Sequence, residues 1–305
     1  MKRANQNRST LFILAFICAL IIASYSLTRA QGGPSISVSW DFFPYQNFDK
    51  PPSGFENTEI KINRADAQIT YPLVFSEGKT VLVNQLSYQH FEAQYKNWPN
   101  GEEEPGIDIL YAAQYTLMLQ QVLSEKWSIW TILTPGMASD LHGEISKDDF
   151  NLQTALVFIR KVNPRFSYGI GAAYTTAFGM DTPLPVLAVD WNNGSSLMLS
   201  AVIPTNIDLW YQAAKHVRLG LNVKVEGNEY HGDPAIFGVA DPRLRYSVIK
   251  FGSTIKYYMS KQMSFNIQGG YIGLHRFEFF DKDEKAASYD MKRSFYLRAG
   301  VEYGG

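Results

Sequence analysis

Along this chain, apolar and polar positions fall into a series of period-two segments. From Ser294 to Tyr303 the alternation is unbroken: Phe295, Leu297, Ala299, Val301 and Tyr303 share one face, and Tyr296, Arg298, Gly300 and Glu302 share the other. Successive side chains of a strand point to opposite sides, so this segment has one apolar face and one polar, charged face. The same holds at 35–43, where Ile36, Val38, Trp40 and Phe42 oppose Ser35, Ser37, Ser39 and Asp41. At 216–226, Val217, Leu219, Leu221, Val223 and Val225 oppose His216, Arg218, Gly220, Asn222, Lys224 and Glu226.

The pattern predicts fourteen strands, at 35–43, 58–75, 80–91, 107–122, 127–134, 150–161, 165–178, 184–191, 195–203, 207–213, 216–226, 243–259, 263–276 and 294–303. In the second, Ile60 and Ile62 begin on even positions and Ala65, Ala67, Ile69, Tyr71, Leu73 and Phe75 continue on odd ones, which reads as a β-bulge near Asn63–Arg64. The connections alternate long and short, with one exception at Pro204–Thr205–Asn206. The long ones are 44–57, 92–106, 135–149, 178–184, 227–242 and 279–290, and Asn193–Gly194 marks a tight hairpin. Alternating loop lengths and an even strand count belong to an up-and-down barrel crossing a membrane.

A soluble β-sandwich also alternates, so three further features decide. Several segments keep the pattern for ten or more residues, the length of a tilted membrane crossing. Aromatics (Trp40, Trp127, Phe150, Phe166, Phe295, Tyr303) sit near strand ends, as interfacial girdles require. The polar faces are rich in Ser, Gly, Thr, Gln and Asn rather than in the Lys and Glu of a surface facing bulk water. The expected fold is all-β: an antiparallel up-and-down transmembrane β-barrel of about fourteen strands, with twelve the alternative count and no separate plug.

The first thirty residues stand apart. Lys2, Arg3 and Arg8 precede an apolar run from Leu11 to Ala23, and Thr28–Arg29–Ala30 ends in a small residue before Gln31. This is the plan of a secretory signal peptide, with cleavage expected between Ala30 and Gln31 and Sec export as the route. The run is too short to span a bilayer as a helix. Four basic residues (Lys2, Arg3, Arg8, Arg29) and no acidic one leave with it, which takes the formal net charge from −1 to −5 and argues against nucleic acid as a partner. Cys18, the single cysteine, lies inside the leader, so residues 31–305 carry no disulfide, thiolate or Cys-ligated metal.

Two resemblances follow from particular residues. Arg298, Gly300 and Tyr303 are similar to the terminal-strand signal read by the outer-membrane barrel-assembly machinery, although Gly304 and Gly305 replace its final aromatic. The leader ending in Ala–Gln, the barrel length, and the spacing Pro204 … Trp210–Tyr211 … Gly227 … Tyr230 resemble a Bacteroidota family of predicted outer-membrane β-barrels of unassigned function. The likeness covers most of 31–305 and implies an outer-membrane location; the family brings no functional residues with it.

Catalytic chemistry finds little support. The five histidines (His90, His142, His216, His231, His275) have no metal-ligand spacing, and neither H-E-x-x-H nor G-x-S-x-G occurs. No catalytic residue, metal or cofactor is expected. His142 lies among Asp140, Glu144, Asp148 and Asp149, which reads as a solvated acidic loop with a cation site as the sharper alternative. Most Asp and Glu residues fall in the long loops, where solubility or contact with cation-bridged lipopolysaccharide accounts for them.

By phase, Arg218, Lys224, Lys256, Arg276 and Arg298 point into the lumen together with Glu226 and Glu302, either as pore-lining charges or as a structural ion-pair ladder. Fourteen strands lie between barrels filled by side chains and open porins, so a narrow pore is expected. The first functional expectation is passive diffusion of small hydrophilic solutes. The alternatives are a closed barrel that meets a partner through its acidic loops, and a barrel hydrolase.

Overall fold

Among the described residues, the period-two segments form strands that take up almost all of the chain. The computed structural model describes residues 33–51, 53–99, 108–142, 145–175, 182–233, 241–282 and 284–304. The expected leader over 1–30, with its Ala30–Gln31 cleavage point, lies outside them. Fifteen strands follow in order: β1 (Ser35–Asn47), β2 (Glu59–Phe75), β3 (Thr80–Lys96), β4 (Ile109–Val122), β5 (Trp127–Ser139), β6 (Phe150–Asn163), β7 (Phe166–Thr175) and β8 (Thr182–Asn192). Then come β9 (Leu197–Ile203), β10 (Asn206–Ala214), β11 (Val217–His231), β12 (Pro242–Tyr258), β13 (Met263–Asp281), β14 (Glu284–Asp290) and β15 (Ser294–Gly304).

Each strand pairs antiparallel with its neighbour, and β1 closes the ring on β15 from Ser35↔Gly304 to Phe42↔Leu297. Fourteen strands make the wall. The fifteenth, β14, is a short return strand hydrogen-bonded to the end of β13, where the sequence pattern suggests only a charged loop. Closure leaves no wall strand with a free edge along its full length, which is what a strand needs where no water can satisfy its backbone.

In the half of the barrel nearest the termini, outward positions are apolar and inward ones polar. Trp40, Ile170, Leu187, Leu221, Ile255, Ile267 and Leu297 are all exposed, Ile170 to 63% and Ile267 to 60%. A continuous belt of this kind would be heavily penalised in water and is neutral in hydrocarbon. It is a bilayer-facing surface.

Toward the distal end, away from the termini, the arrangement inverts. Phe43, Ile60, Ile62, Phe91, Leu110, Tyr230, Leu244, Tyr246, Val248 and Phe277 point inward and pack as one buried core. Glu59, Lys61, Lys96, Glu229, Arg245 and Glu278 take the outward positions. This inversion explains the phase change in β2. Its register against β3 runs unbroken through Asn63 and Arg64, so no bulge exists there. Ile60 and Ile62 face a core inside the barrel, and Ala65 onward face outside.

The distal rim is uneven. β13 has 19 residues and β3 has 17, whereas β9 has 7 and β10 has 9. Once Val225 N–H has bonded Thr205 O, β11 has no neighbour on that side and continues to His231. There it pairs in parallel with Ser139 of β5, and Asp140 N–H donates to His231 O at 3.3 Å. The crossing joins β11 to β5 above the short β6–β10 arc, and the packed core fills the side bounded by β1–β5 and β11–β13.

Candidate lumen site

Below the distal core the lumen is crossed by a cluster of six charges. Register places Asp41 of β1 beside Arg64 of β2 and Arg298 of β15, and Ser39 beside Asp66. Glu226 of β11 and Lys250 of β12 reach the same point from the facing side. Arg64 Nη2 donates to Asp41 Oδ2 and to Glu226 Oε2, both at 2.5 Å. Lys250 Nζ lies 3.0 Å from Asp41 and 2.8 Å from Glu226, and Arg298 Nη1 lies 3.0 Å from Asp41 and 3.3 Å from Asp66. Arg298 Nη2 also donates to Ser39 Oγ at 2.5 Å.

Asp41, Arg64 and Lys250 are buried. Charges removed from water persist only when opposite charges compensate them, and here three cations, Arg64, Lys250 and Arg298, meet three anions, Asp41, Asp66 and Glu226. The cluster therefore acts as a neutral strut, not a fixed net charge. On the inward face two residues from Lys250, a Cβ on Gly252 would meet Tyr296 Oη, Gln268 Nε2 and Asn222 Oδ1, so the bare glycine leaves room for that hydrogen-bonded group.

The seven charges picked out by phase divide as follows. Arg298 and Glu226 belong to the strut. Lys256 pairs with Glu302 at 2.5 Å nearer the termini, and Arg218 Nε donates to Gln212 Oε1 at 2.6 Å. Lys224 shares their inward face, opposite Lys250 and Asn206 in the ladder. Arg276 does not. The β12–β13 register skips Gly273, so His275, Phe277 and Phe279 face in while Arg276 faces out, where Asp290 of β14 holds it at 2.6 Å. A one-residue bulge reverses every side chain beyond it.

Four members of the strut, Asp41, Arg64, Asp66 and Lys250, are not among the charges that the sequence pattern picks out. Asp41 carried a signal, as a lone carboxylate at the end of the Ser35–Ser37–Ser39 face. Arg64 and Asp66 are hidden by the apparent phase change in β2, whereas Lys250 shares the inward face of β12 with Lys256, six residues on, and period two alone places it there.

Bordering the strut is a cavity of about 350 Å³ lined by Ser37, Gln68, Gln85, Gln114, Gln153 and Asn228 among others. Two residues further along β6 from Gln153, Asn151 lines a second hollow, of about 150 Å³, at the distal rim with Lys147, Asp149, Glu229, His231 and Arg243. Here His231, not His142, is the histidine held by acids. Its Nδ1 lies 3.1 Å from Asp149 Oδ1 and its Nε2 lies 3.3 Å from Asp241 Oδ1. Burial alone would raise the Asp149 carboxyl, but Ser146 N–H, Ser139 and His231 outweigh it and hold the carboxyl below its ordinary range. His142 lies 3.8 Å from Asp140 on the exposed side. His275 is buried between Phe43, Tyr246 and Phe277 and bonds Gln46. Among the described residues no group of three His, Cys, Asp or Glu side chains is placed to hold a metal ion.

A family profile described as "Domain of unknown function (DUF6268)" matches residues 26–304. No curated protein matches the sequence. Solved structures with a similar course include an outer membrane channel from Pseudomonas putida F1, at 9% identity over 90% of this chain and 96% of that one, with a TM-score of 0.45. The toluene transporter TodX of P. putida matches at 8% identity over 90% and 91% of the two chains, with a TM-score of 0.42. The KdgM porin, in complex with disordered oligogalacturonate, matches at 8% identity over 88% and 99%, with a TM-score of 0.36. Nothing about the site rests on likenesses this distant.

Proposed function

The chain belongs to the DUF6268 family, whose description assigns no activity, and from the barrel itself we propose a narrow outer-membrane channel for passive diffusion of small hydrophilic solutes. The observation that carries this reading is the amide- and hydroxyl-lined cavity in the lumen. The packed distal core occupies the axial side of the distal end, so the route proposed for the solute runs from the cavity beside Gln153, past Asn151 on the same face of β6, to the rim hollow. In this reading the exported chain sits with its termini in the periplasm and its distal rim outside. Its surroundings are outer-membrane lipid and lipopolysaccharide, the barrel-assembly machinery is its insertion partner, and no step breaks a covalent bond.

The distal core and the β5–β11 crossing also favour a second reading: a closed barrel that presents its acidic rim to a partner. Single-channel conductance separates the two. Refolded residues 31–305 in a planar bilayer are expected to give discrete steps that shrink in Asn151→Trp. A silent bilayer from a barrel that folds correctly, judged by heat-modifiable migration on a gel, would refute the channel and leave the closed barrel.

A further inference from the structure

The chemistry of the lumen cavity goes further than its size. Its charged wall is self-neutralised, since Arg64 and Arg298 already engage Asp41, Asp66 and Glu226. An ion entering would lose hydration and meet no net charge in return. The remaining polar side chains of the lining are amides and hydroxyls, groups that each donate and accept hydrogen bonds. Gln89 is committed on both sides, donating to Asp66 at 2.9 Å and accepting from Tyr230 at 2.6 Å, so it is fixed as wall. The side-chain amides of Gln85 and Gln114 and the Ser37 hydroxyl face the cavity and bond none of the described residues. The Tyr246 hydroxyl is buried at its edge, also without a protein partner. Half-buried amides and a hydroxyl with unused donors and acceptors, together with the buried Tyr246 hydroxyl, around one cavity fit a solute that offers both donors and acceptors.

We infer that this cavity binds an uncharged, polyhydroxylated solute of about monosaccharide size. Hydroxyls that both donate and accept complement amides and a phenol without bringing a charge that would unbalance the strut. The cavity's 350 Å³ is near the lower end of the ~300–1,000 Å³ range of small-ligand sites, which suits one sugar ring and excludes a chain of them. The inference rests on the channel reading only for how the solute arrives.

The test is equilibrium binding of glucose, sorbitol, gluconate and glucosamine to the refolded chain in detergent micelles, by saturation-transfer NMR and calorimetry. Saturable binding of the two neutral compounds is expected, with the two charged ones at least tenfold weaker. Gln85→Leu with Gln114→Leu should reduce neutral binding tenfold or more, while Asn84→Leu, on the outward face of β3, leaves it unchanged. If the leucine pair does not refold, Gln114→Met alone provides the comparison. No saturable binding of either neutral compound, or equal binding of the charged ones, overturns the inference. Conductance without polyol binding would sink this inference and leave the channel, whereas binding in a barrel that does not conduct would do the reverse.

Discussion

Neutralising Asp41 removes the centre of the strut. Its carboxylate is fully buried and accepts from Arg64, Lys250 and Arg298 at 2.5, 3.0 and 3.0 Å. In Asp41→Asn the shape is kept, but three cations, two of them buried, then face two anions. Breaking a buried pair from one side costs about 3–5 kcal/mol, because the uncompensated charge stays behind. Every 1.4 kcal/mol is a factor of ten, so the folding equilibrium should fall by roughly two to three and a half powers of ten. Urea titration of the chain refolded in lipid vesicles reads this as a lowered midpoint at unchanged slope.

The second half of the experiment restores balance. Lys250→Met added to Asp41→Asn leaves two cations against two anions and fills the ammonium site with an apolar chain. The double variant should recover a substantial part of the loss, and the interaction energy of the cycle isolates the coupling. A single-variant loss below about 1 kcal/mol, or a double variant as unstable as the sum of both singles, would refute the strut as a coupled charge network. Either result would return the six residues to the role of independent lumen charges.

Phe91→Ala removes a fully buried ring from the distal core and should cost about 3–5 kcal/mol by the same titration. Gly171→Ala would place a Cβ 2.0 Å from Leu156 O on the adjacent strand, and the forced backbone shift should cost about 1–3 kcal/mol, seen as a lowered midpoint. Ile267→Arg, in the outward belt, should cost about 2–4 kcal/mol in bilayers if it lies near the midplane; an unchanged midpoint there would contradict a lipid-facing belt. Because the Asp149 carboxyl is held below its ordinary value, its contribution to docking the 145–149 segment is present above the unfolded value of about 3.9 and lost as pH falls through the lower folded value. Protease sensitivity of that segment should therefore rise only below about pH 4, and Asp149→Asn should remove this dependence.

How far the sequence could be read depended on which side of each strand met apolar surroundings. Where bilayer surrounds the barrel, period two is legible residue by residue. The phases of β1, β11 and β15, and the inward placement of Arg218, Lys224, Glu226, Lys256, Arg298 and Glu302, follow from it. Beyond that belt the rule reverses, so continuing strands looked like loops. β11 runs on to His231 and β13 to Asp281 past outward charges such as Glu229 and Glu278, and β5 runs on to Ser139 through Pro135 and Gly136, which read as a turn.

The sequence by itself therefore determined the number of wall strands, their order, the lipid-facing surface and most of the lumen face, because side-chain alternation is a local property of an extended backbone. Only the tertiary structure decided what the interior contains. That Asp41, Arg64, Asp66, Glu226, Lys250 and Arg298 meet in one neutral strut depends on strands far apart in sequence, up to 257 residues for Arg298 and Asp41. The β5–β11 crossing and the outward turn of Arg276 arise likewise from rim height and a one-residue bulge. These are set by the register between strands, and register is a relation among segments that no single segment's pattern contains.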